Sequence, residues 1–313
     1  MPSPIVVLSD VLPGDAVAAL KASCEVRHVD GRDRPALFAA LSDADALIVR
    51  SGTRVDAEAL DRAPRLRIVG RAGVGLDNVD TVTAAERGIA VVNAPDSNTV
   101  SVAELTVGLI LASVRHIAAA ARSLAAGEWR RADFTGLELA GRTAGIVGYG
   151  RVGRQVARRL AAFDMRILVH DPYTDTGTLG DGVRLTGLDE LLATSDVVTL
   201  HLPKTPSTAG LIGARELSLM RSTAYLVNTA RGGIVDETAL LEALRAGRPA
   251  GAALDVFATE PPGASPLLAL PNVLGIPHLG AGTPDAQLRA GQDVVRKVLE
   301  ELAPLPAPAT TAA

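Results

Sequence analysis

The chain has 313 residues, 48% of them hydrophobic, a formal net charge of −4 and one cysteine, Cys24. That length exceeds one ordinary domain and suits two, each with enough apolar material for a core. The charge balance, with no basic block, argues against a nucleic-acid partner; the lone cysteine excludes an intrachain disulfide; and no uninterrupted apolar run of about 18 residues marks a membrane span.

The N-terminal "MPSPIVVLSD" lacks a basic region and a long apolar stretch, so it reads as a first strand rather than a signal peptide. With the lone cysteine, this places the expected location in a reducing cytoplasm. Cys24 itself, in "KASCEVRHV", reads as a small core residue. Short apolar strands then alternate with helical patterns. Ile5–Leu8, Glu25–Val29, Ala46–Val49, "LRIVG" and "IAVVN" are strands. Pro13 to about Ala22, "RPALFAALSDA", "VDAEALDRA" and "VDTVTAAERG" are helices. This order predicts a parallel sheet covered on both faces. From Val100 to Ala126 the chain is apolar on most helical faces and ends at Gly127, which predicts one long buried helix. A second alternating series runs from "TAGIVGYG" through "MRILVHD", "VVTLHLP", "AYLVNTA" and "PAGAALDV" to "VLGIPH". A helix from about Pro284 to Leu302 follows, and the Pro/Ala/Thr-rich tail reads as disordered. The fold class read from this order is therefore α/β, with a parallel sheet in the first series and a second βαβ series after the long helix.

Within "GIVGYGRVGRQVA", Gly148-x-Gly150-x-x-Gly153 lies directly after an apolar strand and opens a helix, the context the dinucleotide fingerprint needs. Gly148 permits the tight turn, Gly150 lets a pyrophosphate approach, and Gly153 lets helix and strand pack closely. Arg151 and Val152 stand at the helix start, where free N–H groups and the dipole favour phosphate. Asp171 ends the next strand, about 20 residues on, at the place for a carboxylate that binds the adenosine ribose hydroxyls. A carboxylate there repels a 2′-phosphate, so the expected cofactor is NAD rather than NADP.

Three further stretches each follow an apolar strand. "LVNTARGGIVD" carries Arg231, "ALDVFATEPP" carries Asp255 and Glu260, and "IPHLGAGT" carries His278. In open α/β sheets ligands bind at the carboxyl ends of strands, so these residues can converge on one cleft. Taken singly, Arg231 could be a surface ion pair, Glu260 a turn residue and His278 a structural histidine. Gly73, Val74 and Gly75 in "RAGVG" offer closely spaced N–H groups that can hold a carboxylate. Arg50 and Ser51, with Arg71, flank that segment in sequence order, and Arg130 or Arg131 is a further candidate. Several arginines suit a phosphorylated substrate better than one ending in a methyl group. No metal site is expected.

These motifs, together with "LIVRSGTRV", "VGRAGVGLDNVD", "SVAELTVGLI" and "GEWRRADFTGLELAGRT", span nearly the whole chain. They resemble the D-isomer-specific 2-hydroxyacid dehydrogenase family. The resemblance implies two Rossmann-like, doubly wound domains with parallel sheets: a discontinuous substrate-binding domain of residues 1–97 and 285–313, interrupted by an NAD-binding domain of residues 98–284. It makes the Val100–Ala126 helix a linker that also contributes to a homodimer, or a dimer-based tetramer. It implies His278 as general acid–base, a task suited to imidazole, which titrates near ~6.5. Glu260 then fixes the histidine tautomer, and Arg231 binds the substrate carboxylate and polarises the C2 oxygen. Asp255 helps place the nicotinamide; Asn98, Thr229 and the backbone at Ala230 neighbour the cofactor. The implied reaction is NAD-dependent oxidation of a D-2-hydroxy acid or its reverse, with 3-phosphoglycerate the expected substrate, in serine biosynthesis. Glyoxylate or hydroxypyruvate reduction is the alternative. Gly282 stands where the phosphoglycerate-oxidising members more usually carry serine, which bears on the substrate. Such members often carry a regulatory domain after the final helix; about a dozen residues follow it here, so serine feedback is expected to be absent. A rival of another class is an NAD-sensing, corepressor-like binding protein.

Overall fold

Residues 3–303 are described by the structure, a computed structural model. The chain divides into two compact units, one of Met1–Asn98 with Ala281–Ala313, the other of Thr99–Gly280.

The first unit is built on five parallel strands: β1 (Ile5–Leu8), β2 (Glu25–His28), β3 (Ala46–Val49), β4 (Ile68–Arg71) and β5 (Ala90–Asn93), in the order β2-β1-β3-β4-β5. Alternate side chains feed opposite faces, as the period of two demands. Val6, Leu8, Ala46, Ile48 and Ile68 enter one apolar core. Val7, Leu47, Val49 and Val69 enter the other. The first core is covered by α1 (Gly14–Lys21) and by the helix formed by Pro284–Leu302 at the end of the chain. The second is covered by α2 (Arg34–Leu41), α3 (Ala57–Asp61) and α4 (Thr81–Glu86). Local sequence sets the starts of these three helices. The carboxylates of Asp33, Asp56 and Asp80 accept N–H bonds from Ala36, Ala59 and Thr83, satisfying donors that a helix start leaves open.

The second unit begins with α5 (Thr99–Val114) and α6 (Ile117–Ala125). One helix over Val100–Ala126 was expected; the two axes instead meet at 62°. The break falls at His116, whose φ of 53° lies in the left-handed region. The two pieces also differ in burial. Nine residues of α5 are buried and none of α6 is, so only the first piece meets the core that its composition demands. Among the described residues no single helix is long and apolar enough to cross a membrane.

The rest of this unit is a seven-stranded parallel sheet. Its strands are β6 (Thr143–Val147), β7 (Arg166–His170), β8 (Val183–Leu185), β9 (Val197–Leu200), β10 (Tyr225–Asn228), β11 (Gly251–Leu254) and β12 (Val273–Gly275). Their order is β12-β11-β10-β9-β6-β7-β8. Helices α7 (Arg151–Ala161), α8 (Leu188–Thr194), α9 (Ala214–Leu219) and α10 (Glu237–Arg245) connect them. Ala144, Ile146, Val197, Val227 and Ala253 pack with α5 and α7 on one face. Val198, Leu226, Ala252 and Leu254 pack with α8, α9 and α10 on the other. The strand order reverses between β6 and β9 here, and between β1 and β3 in the first unit. Such switch points are where open α/β sheets leave a crevice for ligands.

Pro284–Leu302 is α11, opened by Pro284 and capped by the Thr283 hydroxyl, which accepts the Ala286 N–H. The expectation for the tail beyond Ala303 lies outside the described residues.

Candidate active site

At the carboxyl end of β6 the chain turns through Gly148, with φ of 93°, into α7. A Cβ on Gly148 would lie 2.4 Å from the His201 carbonyl oxygen, just past the neighbouring strand β9 across the switch point. A Cβ on Gly153 would lie 2.1 Å from the Gly148 oxygen, so the absent side chain lets the helix close on the turn. Gly150 differs. Nothing lies within 4 Å of its Cβ position, and it begins α7 with no side-chain cap. Open space at an uncapped helix start, with Arg151 and Val152 next along, fits an incoming phosphate.

Asp171 follows β7. Its carboxylate accepts the Tyr149 N–H at 2.7 Å and the Tyr173 N–H at 2.8 Å, tying it to the glycine turn. A carboxylate accepts about four hydrogen bonds, so capacity for ribose hydroxyls remains. At the end of β9, burial pushes the His201 imidazole down to about 3, and its Nε2 lies 3.0 Å from the Thr199 hydroxyl. This ring stays neutral beside the turn.

The ends of β10, β11 and β12 carry the remaining groups. After β10, the Asn228 amide donates to the Arg231 carbonyl and accepts the Ala230 N–H, both at 3.0 Å, folding the "NTARGG" loop back on itself. The Thr229 hydroxyl is 2.8 Å from that of Thr106 on α5 and nearly buried. Arg231 is half-buried, with Nη1 2.8 Å from the Ala230 carbonyl. After β11, Asp255 is wholly buried. Its two carboxylate oxygens accept the N–H groups of Leu279 (2.5 Å) and Gly280 (2.9 Å), and its carbonyl accepts the His278 N–H. Burial pushes its carboxyl up; the two N–H bonds and the nearby His278 oppose that. Asp255 therefore grips His278 and the two residues that follow it.

His278 follows β12. Its Nδ1 lies 2.7 Å from Oε2 of Glu260, and Oε1 of the same carboxylate accepts the Phe257 N–H at 3.0 Å. The ring is exposed, so Nε2 is the nitrogen left for another partner. Its backbone has φ of 51°, uncommon for a residue with a side chain and typical of functional loops. The structure thus brings Glu260, His278 and Asp255 into direct contact. Arg231 stands on the same carboxyl edge of the sheet.

The other candidates belong to the first unit and line the carboxyl edge of its own sheet. After β3, the Arg50 N–H donates to Asp10 at 2.7 Å, and Ser51 is exposed. The Asn78 amide donates to the carbonyls of Arg50 (2.7 Å) and Thr53 (2.6 Å), bracing that loop. After β4, the Gly73 N–H already donates to the Arg71 carbonyl, which leaves Val74 and Gly75 as the outward N–H groups of "RAGVG". Asn98 is half-buried just before α5. Arg130 lies in the second unit and pairs with Asp133 and Glu128. Asp10 and Asn78 were not singled out from sequence. Only the position of Asn78 inside "GLDNVD" hinted at it. Among the described residues no group of three His, Cys, Asp or Glu side chains is placed to hold a metal.

Residues 107–280 match the family described as "D-isomer specific 2-hydroxyacid dehydrogenase, NAD binding domain". The chain belongs to the D-isomer specific 2-hydroxyacid dehydrogenase family. It is 51% identical over 304 residues to D-3-phosphoglycerate dehydrogenase of Mycobacterium leprae, covering 97% of this chain and 58% of that one. It thus spans little more than half of that relative. Among solved structures it is similar to the TT0316 protein of Thermus thermophilus, with 38% identity, a TM-score of 0.87 and coverage of 95% and 96% of the two chains. A glyoxylate reductase from Paecilomyes thermophila is 31% identical with a TM-score of 0.86, covering 96% of this chain and 95% of the other.

Proposed function

We propose that the chain catalyses NAD-dependent hydride transfer on a D-2-hydroxy acid, with 3-phosphoglycerate as its substrate. The observation that carries the reaction is the 2.7 Å contact between His278 and Glu260 at the strand ends of a domain that matches an NAD-binding family. The substrate assignment draws on the 51% identical relative named D-3-phosphoglycerate dehydrogenase.

The residues present fit NAD. The open space at Gly150 and the N-terminal turn of α7 at Arg151 and Val152 would take the pyrophosphate. Asp171 would accept the adenosine ribose hydroxyls and repel a 2′-phosphate. Asn98, Thr229 and Asp255 would neighbour the rest of the cofactor. The chemistry supplied by bound NAD is acceptance of the hydride from C2.

The chain's own residues do the rest. In oxidation, the substrate O–H proton passes to Nε2 of His278 while the C2–H bond electrons leave as hydride and the C2–O bond becomes a carbonyl. Glu260, on Nδ1, holds the tautomer with the proton on that nitrogen and stabilises the imidazolium that forms. Arg231 binds the substrate carboxylate through its planar fork and polarises the C2 oxygen. Asp255 keeps the His278 segment from drifting. The unit of Met1–Asn98 with Ala281–Ala313 would be the substrate-binding domain, using Arg50, Ser51, Gly73, Val74 and Gly75. A dimer or dimer-based tetramer in a reducing cytoplasm completes the reading. The apolar side chains of Ile117, Leu124 and Trp129, exposed at 53, 60 and 78%, suit a subunit interface.

The test is a panel of 3-phosphoglycerate, D-glycerate and D-lactate with NAD, and glyoxylate and hydroxypyruvate with NADH, compared by kcat/KM. The highest value is expected for 3-phosphoglycerate. A preference for glyoxylate or hydroxypyruvate would replace the substrate, in line with the glyoxylate reductase relative. No turnover with any acid would overturn the enzyme reading in favour of an NAD-sensing binding protein.

A further inference from the structure

The connection from β10 to α10 carries Arg231 and, further along, Glu237, a half-buried carboxylate that none of the chemistry above uses. Glu237 opens α10 directly after Asp236, whose own carboxylate caps the helix by accepting the N–H groups of Thr238 and Ala239. The helix start is thus already served. Oε1 of Glu237 reaches away from it and accepts the Ala258 N–H at 2.5 Å. The base it reaches from is firm. Ile234 and Val235 are buried, and Val235 forms a parallel bridge with Ile212.

Ala258 belongs to the loop that delivers Glu260 to His278. This segment is buried up to Phe257 and exposed from Ala258 through Glu260. The Phe257 N–H donates to Oε1 of Glu260 at 3.0 Å. The Phe257 carbonyl oxygen lies against Gly232, where a Cβ would fall 1.7 Å from it, so the loop of Arg231 rests directly on the loop of Glu260. Glu237 then holds the next N–H along. Among the described residues, no other hydrogen bond ties residues 258–260 to the rest of the unit, apart from the two that the Glu260 carboxylate makes. An exposed segment with so few ties opens easily, and an error of about 1 Å in a catalytic group can cost ~10²-fold in rate.

We propose, resting on the dehydrogenase reading above, that Glu237 is a positioning residue for hydride transfer. It holds the Ala258 N–H so that the Glu260 carboxylate meets Nδ1 of His278. It also keeps that carboxylate in register with Arg231, because Arg231 and Glu237 leave the same β10–α10 connection.

Two substitutions separate this role from support of the helix. Glu237→Gln keeps an oxygen acceptor at the same reach and loses the charge. Glu237→Asp keeps the charge that favours a helix start but is one methylene too short for the Ala258 N–H. Both are assayed with the acid that gives the wild type its highest kcat/KM. Glu237→Gln is expected to keep kcat within about threefold and Glu237→Asp to lower it roughly tenfold, with KM for acid and cofactor within about twofold in each. In a Glu260→Ala background Glu237→Asp should have no further effect, because no carboxylate is left to position. The opposite order of the two variants, or losses that multiply in that background, would overturn the assignment. A readout free of turnover is the imidazole nitrogen NMR of His278, its signals identified by their loss in His278→Ala. With the ring neutral, the wild type should carry its proton on Nδ1, and Glu237→Asp should mix the two tautomers. Equal tautomer fractions in those two proteins would overturn the role of Glu237 whether or not any acid is turned over. Failure of the dehydrogenase reading shows itself separately, as an absence of turnover in the wild type.

Discussion

His278 has three constraints on it: Glu260 on Nδ1, the Asp255 carbonyl on its N–H, and two further N–H bonds from the next two residues to the Asp255 carboxylate. A general acid–base must be held in place and keep one nitrogen for the substrate, and this arrangement does both. His278→Ala is expected to lower kcat by roughly 10²–10⁴, the usual size of such catalysis, while NAD affinity stays within about twofold. Unchanged turnover would remove His278 from the mechanism. The pairing of residues 18 apart on different strand ends was not readable from spacing; it came from the family resemblance. The grip of Asp255 was invisible even then, since an aspartate ending a strand reads like any turn residue. A second titrating group belongs at this scale. His201 is held neutral by burial, with a folded value of about 3 against 6.5 for the free side chain. The unfolded chain therefore takes up this proton first. The stability associated with the neutral ring is complete above about pH 6.5 and is lost as pH falls from there toward 3. His201→Gln should flatten the slope of unfolding free energy between about pH 6.5 and 4.5, measured by urea melts. An unaltered slope would show that His201 protonates as easily folded as unfolded.

Elements were legible where a local rule and the tertiary setting agree. The apolar runs "IVVL", "ALIV" and "YLVN" became strands because both sheet faces are covered, so continuous apolarity has somewhere to go. Helices α2 and α4 each begin directly after an aspartate, Asp33 and Asp80, whose carboxylate caps the first turn. The α5–α6 break was not legible, because neither glycine nor proline marks it; the chain instead places Arg115 and His116, which carry no breaking signal, at the bend. Glycines in the phosphate turn give a sharper test of element packing. In Gly153→Ala the new methyl meets the Gly148 carbonyl, a backbone atom that cannot rotate away, so α7 must lift from the turn. That should cost about 1–3 kcal/mol and lower Tm. In Gly150→Ala the methyl meets no protein atom, and φ of −76° suits alanine. Its Tm should match the wild type, while NAD affinity falls because the methyl occupies the space for phosphate. Thermal melts with and without NAD separate the two effects. Equal Tm losses would mean that the turn tolerates neither side chain for one shared reason.

The chain leaves its first unit after Asn98 and returns to it at Ala281. That unit therefore depends on a helix made last. Ala290, Val294, Val295, Val298 and Leu302 of α11 are buried in the core that also holds Val6, Ile48 and Ile68. The seat is specific: a Cβ on Gly70 of β4 would fall 2.6 Å from Val294 and 2.9 Å from Val298, so the glycine leaves the room that α11 fills. Burying Val294, Val295, Val298 and Leu302 contributes roughly 6–12 kcal/mol at about 1.5–3 kcal/mol per side chain. That equals most of the roughly 5–15 kcal/mol by which a whole domain is stable. Ending the chain after Gly280 should therefore unfold the first unit. The second should survive, because its seven strands and their helices lie entirely within Thr99–Gly280. Hydrogen exchange on the truncated chain is expected to show lost protection across β1–β5 and kept protection across β6–β12, with NAD still bound. Protection kept in β1–β5 would mean that α11 is dispensable to that sheet. Loss throughout would mean that the NAD-binding unit does not fold independently.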